Sequence, residues 1–221
     1  LSIAYFDEGD AAGEPVLLIH GFASSANVNW VFPGWLKTLG DAGYRVIALD
    51  NRGHGKSSKP HDPSVYHPPA MASDAIALLD HLGVATANVM GYSMGGFGAL
   101  VLPIKYPDIF TISIPLSASI RTDAQYIIEE QSGWNGQWGR IFGGFDKAGN
   151  DRITRYYTEN SPFHLIKNNS SKQLSKISFY IENGDKENTL CRSNEELHIL
   201  LLEKKIPHIY NVKQGGHEFS F

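Results

Sequence analysis

Asn88-Val89-Met90-Gly91-Tyr92-Ser93-Met94-Gly95-Gly96-Phe97-Gly98-Ala99-Leu100 decides how the rest of the chain is read. A strand-like apolar run passes through one tight turn into an Ala/Leu segment with helical spacing. The turn carries Gly91, Ser93 and Gly95 in a G-x-S-x-G arrangement. A serine at such a corner sits in a strained backbone conformation, and flanking side chains would collide with the neighbouring strand and helix. Glycine at both positions removes the collision. The helix starting at Met94 directs its dipole and free N–H groups at the serine oxygen, which favours negative charge developing there. Ser93 is therefore the candidate nucleophile. A glycine-rich turn that merely packs helix on strand would show the same residues; the position between an apolar strand and an Ala/Leu helix is what gives the pattern weight. A dinucleotide loop fits worse, because it needs glycine where Ser93 stands and an acidic residue ending the next strand.

On both sides of this corner, β-branched runs alternate with segments of helical spacing. The pattern predicts strands over residues 3–6, 16–19, 45–49, 87–90, 111–115, 177–182 and 208–212, and helices over 30–39, 69–82, 94–105 and 193–204. Within 69–82, Met71, Ala75, Leu78, Leu79 and Leu82 form an apolar stripe. Gly43, Gly83 and Pro107 stand just past helix ends, where stop signals belong. The alternation predicts an α/β fold, a mostly parallel sheet with helices on both faces and the chemistry at the carboxyl ends of the strands. Residues 121–176 are rich in Trp, Gly, Asn and Ser with weak periodicity, the signature of a small lid or binding insert. No linker divides the chain, so residues 1–221 read as a single domain.

With 221 residues, folding buries roughly 70% of the unfolded surface, enough for a core without disulfides or metals. Apolar residues make up 42% and charged residues 19%, a globular balance. The net charge of −4 offers no phosphate-binding surface, so no nucleic acid partner is expected. The single cysteine, Cys191, excludes an intramolecular disulfide and any multi-cysteine metal site. No run approaches about 18 apolar residues, so no membrane association is expected and a cytoplasmic location is the working expectation. Leu1 is not an initiator methionine, so the true start and any cleaved signal lie outside this stretch.

A serine nucleophile needs donors for the oxyanion it creates. The predicted strand over 16–19 runs into His20-Gly21-Phe22, and the Phe22 N–H together with that of Met94 is the expected pair. Here the chain resembles the α/β-hydrolase superfamily. The matching pieces are His20-Gly21-Phe22, then Leu49-Asp50-Asn51-Arg52-Gly53-His54-Gly55-Lys56-Ser57, then Gly91-Tyr92-Ser93-Met94-Gly95-Gly96, in that order over most of the first hundred residues. The resemblance implies the α/β-hydrolase fold, a structural part for His20 in shaping its loop, and a scaffold turn over 50–57.

The other partners should follow in the order acid, then histidine. Of nine histidines, His61 and His67 lie among prolines, His81 and His198 in helices, and His208 in a strand; only His217 follows the last strand, in a loop marked by Gly215-Gly216. The acid should follow the strand over 177–182, where Asp185 and Glu187 are both candidates for fixing the imidazole tautomer. A second resemblance, to the esterase D and feruloyl-esterase branch of the superfamily, rests on Ser93–Leu100, on Lys105-Tyr106-Pro107-Asp108-Ile109-Phe110, on Lys205-Ile206-Pro207-His208 and on Gly215-Gly216-His217-Glu218-Phe219-Ser220-Phe221. That branch implies Asp at the third position after the loop glycine. Glu187 occupies the position here, so register favours Glu187 slightly, with Asp185 as the alternative. The two resemblances meet at the elbow and imply a mosaic with its crossover near residues 90–96. In relatives a closing helix follows the histidine, whereas this sequence ends four residues after His217.

Trp134, Trp138, Phe142 and Phe145 cluster in the insert between glycines. They read equally as an aromatic wall for an acyl or aryl group, with Trp134 and Trp138 as substrate-binding residues, or as the core of a lid. An insert too short for a large cap favours small, accessible esters. The reading that follows is a serine carboxylesterase acting on small or aryl carboxylic esters through an acyl-enzyme, with a small-molecule ester as partner and no metal or organic cofactor. Alternatives on the same scaffold are a C–C bond hydrolase, a cofactor-free perhydrolase, or a non-catalytic binding protein; an epoxide hydrolase normally places Asp where Ser93 stands.

Overall fold

The strands observed are β1 (Tyr5–Gly9), β2 (Pro15–Ile19), β3 (Arg45–Leu49), β4 (Ala87–Tyr92), β5 (Phe110–Leu116), β6 (Ser178–Gly184) and β7 (His208–Lys213). The structure, a computed structural model, describes residues 1–217; the matched Glu218-Phe219-Ser220-Phe221 lie outside the described residues. The seven strands form one sheet in the order β1-β3-β2-β4-β5-β6-β7, with β1 antiparallel to β3 and every other pair parallel. The predicted α/β-hydrolase architecture is present.

Side-chain alternation divides the central strands between two cores. Leu17, Ile19, Ile47, Leu49 and Val89 point to one face and meet the Ala75, Leu78 and Leu79 stripe of α2 (Pro68–His81), joined by Ala99 and Leu102 of α3 (Met94–Lys105). Val16, Leu18, Val46, Ala48 and Met90 point to the other, against Trp30 and against Leu36 of α1 (Trp35–Asp41). Both faces are covered, which explains why these strands read as unbroken apolar runs. Farther along the sheet, Phe179 and Ile181 pack with Leu100 and Ile104 of α3 and with Leu197 and Leu201 of the helix Thr189–Glu203. The elbow helix therefore serves two cores.

Two predicted elements shift. The first strand begins at Tyr5 because the preceding backbone bonds to loops instead: the Ala4 carbonyl accepts from Asp50 N–H and the Ser2 carbonyl from Ser58 N–H. The helix expected over 30–39 is split at Pro33-Gly34. Gly34 takes a left-handed conformation, φ +85°, and α1 starts after it, while a wide turn over Asn27–Val31 buries Trp30. The insert over 121–176 forms short helical pieces, among them Asp123–Ile127, Gly139–Phe142 and Pro162–Asn168, around a cluster of Tyr126, Trp134, Trp138, Phe142 and Tyr157. Among the described residues no helix is long and apolar enough to cross a membrane.

The 50–57 loop is fastened to α2 by Arg52. Its guanidinium holds Asp74 in two bonds, Nε to Oδ2 at 2.6 Å and a terminal nitrogen to Oδ1 at 2.7 Å, and also donates to the Val65 and Ala70 carbonyls. Both partners are nearly buried. Replacing Arg52 with Met strands the Asp74 carboxylate, and a loss of about 3 kcal/mol of unfolding free energy is expected. Urea unfolding of Arg52→Met checks this, and the double variant with Asp74→Leu should recover part of the loss.

Candidate active site

The site begins with a strained residue. Ser93, between β4 and α3, has φ +57° and ψ −114°. The strain is held by backbone bonds: Ser93 N–H donates to the Leu116 carbonyl at 2.9 Å, and its own carbonyl accepts from Phe97 N–H at 3.1 Å and Ser119 N–H at 2.9 Å. The corner closes so tightly that a Cβ on Gly91 would lie 2.0 Å from the Gly95 carbonyl oxygen, and one on Gly95 would lie 1.9 Å from that of Ile19. The second contact ties the elbow to the end of β2, where His20-Gly21-Phe22 begins. A Cβ on Gly21 would meet the Ser93 Cβ at 3.3 Å, so the two loops lie side by side. Met94 supplies the first N–H of α3, a position without an intrahelical acceptor.

His20 shapes this loop without exposing its ring. Asn51 N–H donates to Nε2 at 2.9 Å, which leaves the proton on Nδ1, and Nδ1 donates to the Gly21 carbonyl at 2.7 Å. Burial pushes the imidazole down to about 4 despite the Gly21 bond, so the ring is neutral near pH 7. Asn29 Oδ1 accepts from Gly21 N–H at 2.8 Å. The Asp50 carboxylate accepts from Ala26 N–H and Lys56 N–H, both at 2.8 Å. Ala23, at φ +52°, donates its N–H to His54 Nε2 at 3.2 Å, and His54 Nδ1 donates to the Arg52 carbonyl at 3.0 Å. Asn29 carries no motif that would have singled it out; the scaffold turn implied over 50–57 contains Asp50 and His54, and the structure brings all three against the loop after β2. The Phe22 side chain is exposed and meets the His54 ring edge-on.

The His217 ring is stacked on Tyr92, centroids 4.8 Å apart, and Tyr92 directly precedes Ser93. Its Nδ1 lies 3.4 Å from Oε1 of Glu187, whose carboxylate is fully buried while the imidazole keeps partial access to water. Ser117, at the bend after β5, donates its hydroxyl to the same Oε1. Oε2 has no hydrogen-bond partner among the described residues. A carboxylate on Nδ1 selects the tautomer whose Nε2 lone pair is available as a base, and it favours the imidazolium once a proton is taken. Ser117 carries no motif and was missed by sequence reasoning; its place at the carboxyl end of β5 was the available signal. Asp185 is corrected. Its carboxylate accepts from Gly215 N–H at 3.0 Å, and its own N–H bonds the Lys213 carbonyl, so it braces the loop leading to His217 instead of meeting the imidazole.

A cavity of about 1030 Å³ lies beside the elbow helix, lined by Phe22, Met94 and Ser119 and, from the insert, by Trp138, Phe142 and Phe145. The two insert tryptophans part company. Trp138 lines the cavity, with the Arg121 guanidinium 5.0 Å from its ring centre. Trp134 does not: it is fully buried, and its indole N–H donates to the Gly144 carbonyl at 2.6 Å, so it is part of the insert's own core. A substrate-binding part for Trp134 is therefore corrected. Among the described residues no group of three His, Cys, Asp or Glu side chains could hold a metal ion.

A sequence model of the α/β-hydrolase fold matches residues 14–158. An epoxide hydrolase of Caballeronia sordidicola is 36% identical over 108 residues, 47% of this chain and 32% of that protein. The dihydrolipoyllysine-residue acetyltransferase component of an acetoin-cleaving system of Pseudomonas putida is 39% identical over 119 residues, 53% of this chain and 30% of that protein. The matched stretches thus span about a third of the length of these curated relatives. Among solved structures, a carboxylesterase of Nitrososphaera gargenis superposes with a TM-score of 0.69 at 19% identity, covering 97% of this chain and 87% of that one, a likeness of fold.

The buried neutral His20 makes stability depend on pH. The unfolded imidazole takes a proton near its ordinary value of 6.5, whereas the folded one resists until about 4. Between those values the unfolded state binds more protons, so stability rises with pH and is lost as pH falls through the window. A drop of about 2 kcal/mol between pH 7.5 and pH 5 is expected from this group, measured by urea unfolding at each pH. The same comparison in His20→Gln should lack that part of the slope.

Proposed function

This chain belongs to the α/β-hydrolase-fold family, and from that premise we propose that it is a serine carboxylesterase in which Ser93, His217 and Glu187 act as nucleophile, base and acid. One observation carries the reading: a strained elbow serine directly follows a tyrosine whose ring stacks on an imidazole, and the Nδ1 of that imidazole faces a buried carboxylate. His217 Nε2 takes the hydroxyl proton as Ser93 Oγ attacks the ester carbonyl. The oxyanion forms between the N–H groups of Phe22 and Met94, which are worth about 3–4 kcal/mol each to such a transition state. The tetrahedral intermediate expels the alcohol, which leaves with the proton from His217. Water, deprotonated in turn by His217, attacks the Ser93 acyl ester; the acid departs and the hydroxyl regains its proton. Glu187 holds the imidazole, and Ser117 positions Glu187.

The curated relative named an epoxide hydrolase does not transfer its reaction to this site. A serine oxygen opening an epoxide would form an ether, which water does not release under these conditions, whereas a carboxylate would form a cleavable ester. An elbow serine suits acyl transfer.

A panel of p-nitrophenyl esters and a fluorophosphonate probe test the proposal. Ser93→Ala and His217→Ala are expected to lower kcat by about 10⁴-fold or more, and Glu187→Gln by about 10²–10⁴-fold. Asp185→Asn should have a much smaller effect than Glu187→Gln. The probe should label the wild-type chain and not Ser93→Ala; equal labelling of both would refute the assignment.

A further inference from the structure

The cavity beside the elbow extends well beyond what a small acyl group would occupy. It reaches the upper end of the roughly 300–1,000 Å³ common for small-molecule sites. Its inner part lies between two helices that present matching faces. From α3 come Met94, Phe97, Gly98, Val101 and Leu102, spaced three and four apart along one stripe. From α2 come Met71, Ala72 and Ala75, and Ile19 of β2 closes the floor. Small residues stand where the helices face each other: a Cβ on Gly98 would find only the Ile19 side chain, at ordinary contact distance.

No charged or hydrogen-bonding side chain belongs to that inner group. The polar groups that line the cavity elsewhere include Arg52, bound to Asp74, and Tyr66, whose hydroxyl donates to the Pro60 carbonyl. A hydroxylated aromatic acid would find nothing to bond in the inner part. The stripe on α3 from Met94 to Leu102 covers about 12 Å at the rise of an α-helix. An extended chain advances about 1.2 Å per bond, so about ten bonds fill that length.

We infer that the acyl-binding site is this α2–α3 channel and that it takes an unbranched, medium-length acyl chain of about eight to ten carbons. The inference rests on the serine-hydrolase reading for its chemistry: the ester carbonyl sits at Phe22 and Met94, and the chain runs from there along Gly98 toward Leu102. It also replaces the expectation of small or aryl esters, which rested on the shortness of the insert, its aromatic cluster and the resemblance to the esterase D and feruloyl-esterase branch.

The experiment is a chain-length series of p-nitrophenyl esters, from acetate to palmitate, on the wild-type chain and on Gly98→Ala and Gly98→Leu. Both replacements are better helix formers than glycine, and the Ala variant adds only a Cβ at ordinary contact distance from Ile19, so it keeps the test readable should Leu disturb the fold. In the wild type, kcat/KM should rise about fourfold per methylene until about decanoate and then level or fall. The ratio of decanoate to acetate kcat/KM should drop at least tenfold in Gly98→Leu, with an intermediate value in Gly98→Ala. A flat wild-type series, or an unchanged ratio in Gly98→Leu, would overturn the channel. Failure of the chemistry looks different: no ester of any length is cleaved and the phosphonate does not label Ser93. In that case calorimetric titration with decanoate and butyrate still decides the matter. Decanoate should bind at least tenfold more tightly than butyrate, and Gly98→Leu should abolish the difference; equal affinities would overturn the inference.

Discussion

The contact on which the rest depends is the approach of Gly95, at the start of α3, to the Ile19 carbonyl at the end of β2. Any side chain at that position would push the elbow off the sheet. With it in place, the Ser93 backbone is fixed in a region L-residues rarely adopt, and the loop after β2 is brought against the serine. The hydroxyl, the helix N-terminus and the loop after β2 thus share one origin: a strand and a helix that meet without an intervening side chain. The strain at Ser93 persists because its N–H and carbonyl are bonded to β5, to the turn after it and to Phe97 of α3, so relief would break three backbone bonds.

Around that contact, two loops make each other rigid. The segment after β2 and the segment after β3 exchange bonds through His20 and Asn51, Asp50 and Ala26, and Ala23 and His54. Most of these put a side-chain acceptor on a backbone N–H, which satisfies groups that irregular chain would otherwise leave unpaired near the core. Arg52 then carries the assembly onto α2 through Asp74. The loops can be irregular and still hold a backbone donor in a fixed place. Pre-organised donors of that kind need no reorganisation when charge appears.

On the opposite side of the serine, placement is electrostatic. Glu187 is a fully buried carboxylate, and burial of that charge is tolerated because the Ser117 hydroxyl and the His217 imidazole both face it. His217 itself remains partly open to water and lies flat on Tyr92. The imidazole therefore has a partner facing one nitrogen and a plane set by the Tyr92 ring.

The sequence by itself determined the alternation of strands and helices, the elbow, and Ser93 and His217 as the residues to watch. Each of those is a local matter: period-two and helical spacing, a glycine on either side of a serine, one histidine after the last strand. It did not separate Glu187 from Asp185, because two carboxylates on one short turn differ only in what the turn bonds to. Tertiary structure gives the two different surroundings: Asp185 is engaged by Gly215, and Glu187 turns inward to Ser117, which stands seventy residues earlier in the chain. The insert tryptophans were beyond local reading for the same reason. Trp134 and Trp138 sit in one glycine-rich run without a period; both pack on Tyr126 in the insert's core, and only the fold leaves Trp138 with an edge on the cavity. The channel between α2 and α3 is the clearest case, since its width is set by the separation of two helices, a distance that neither helix encodes alone.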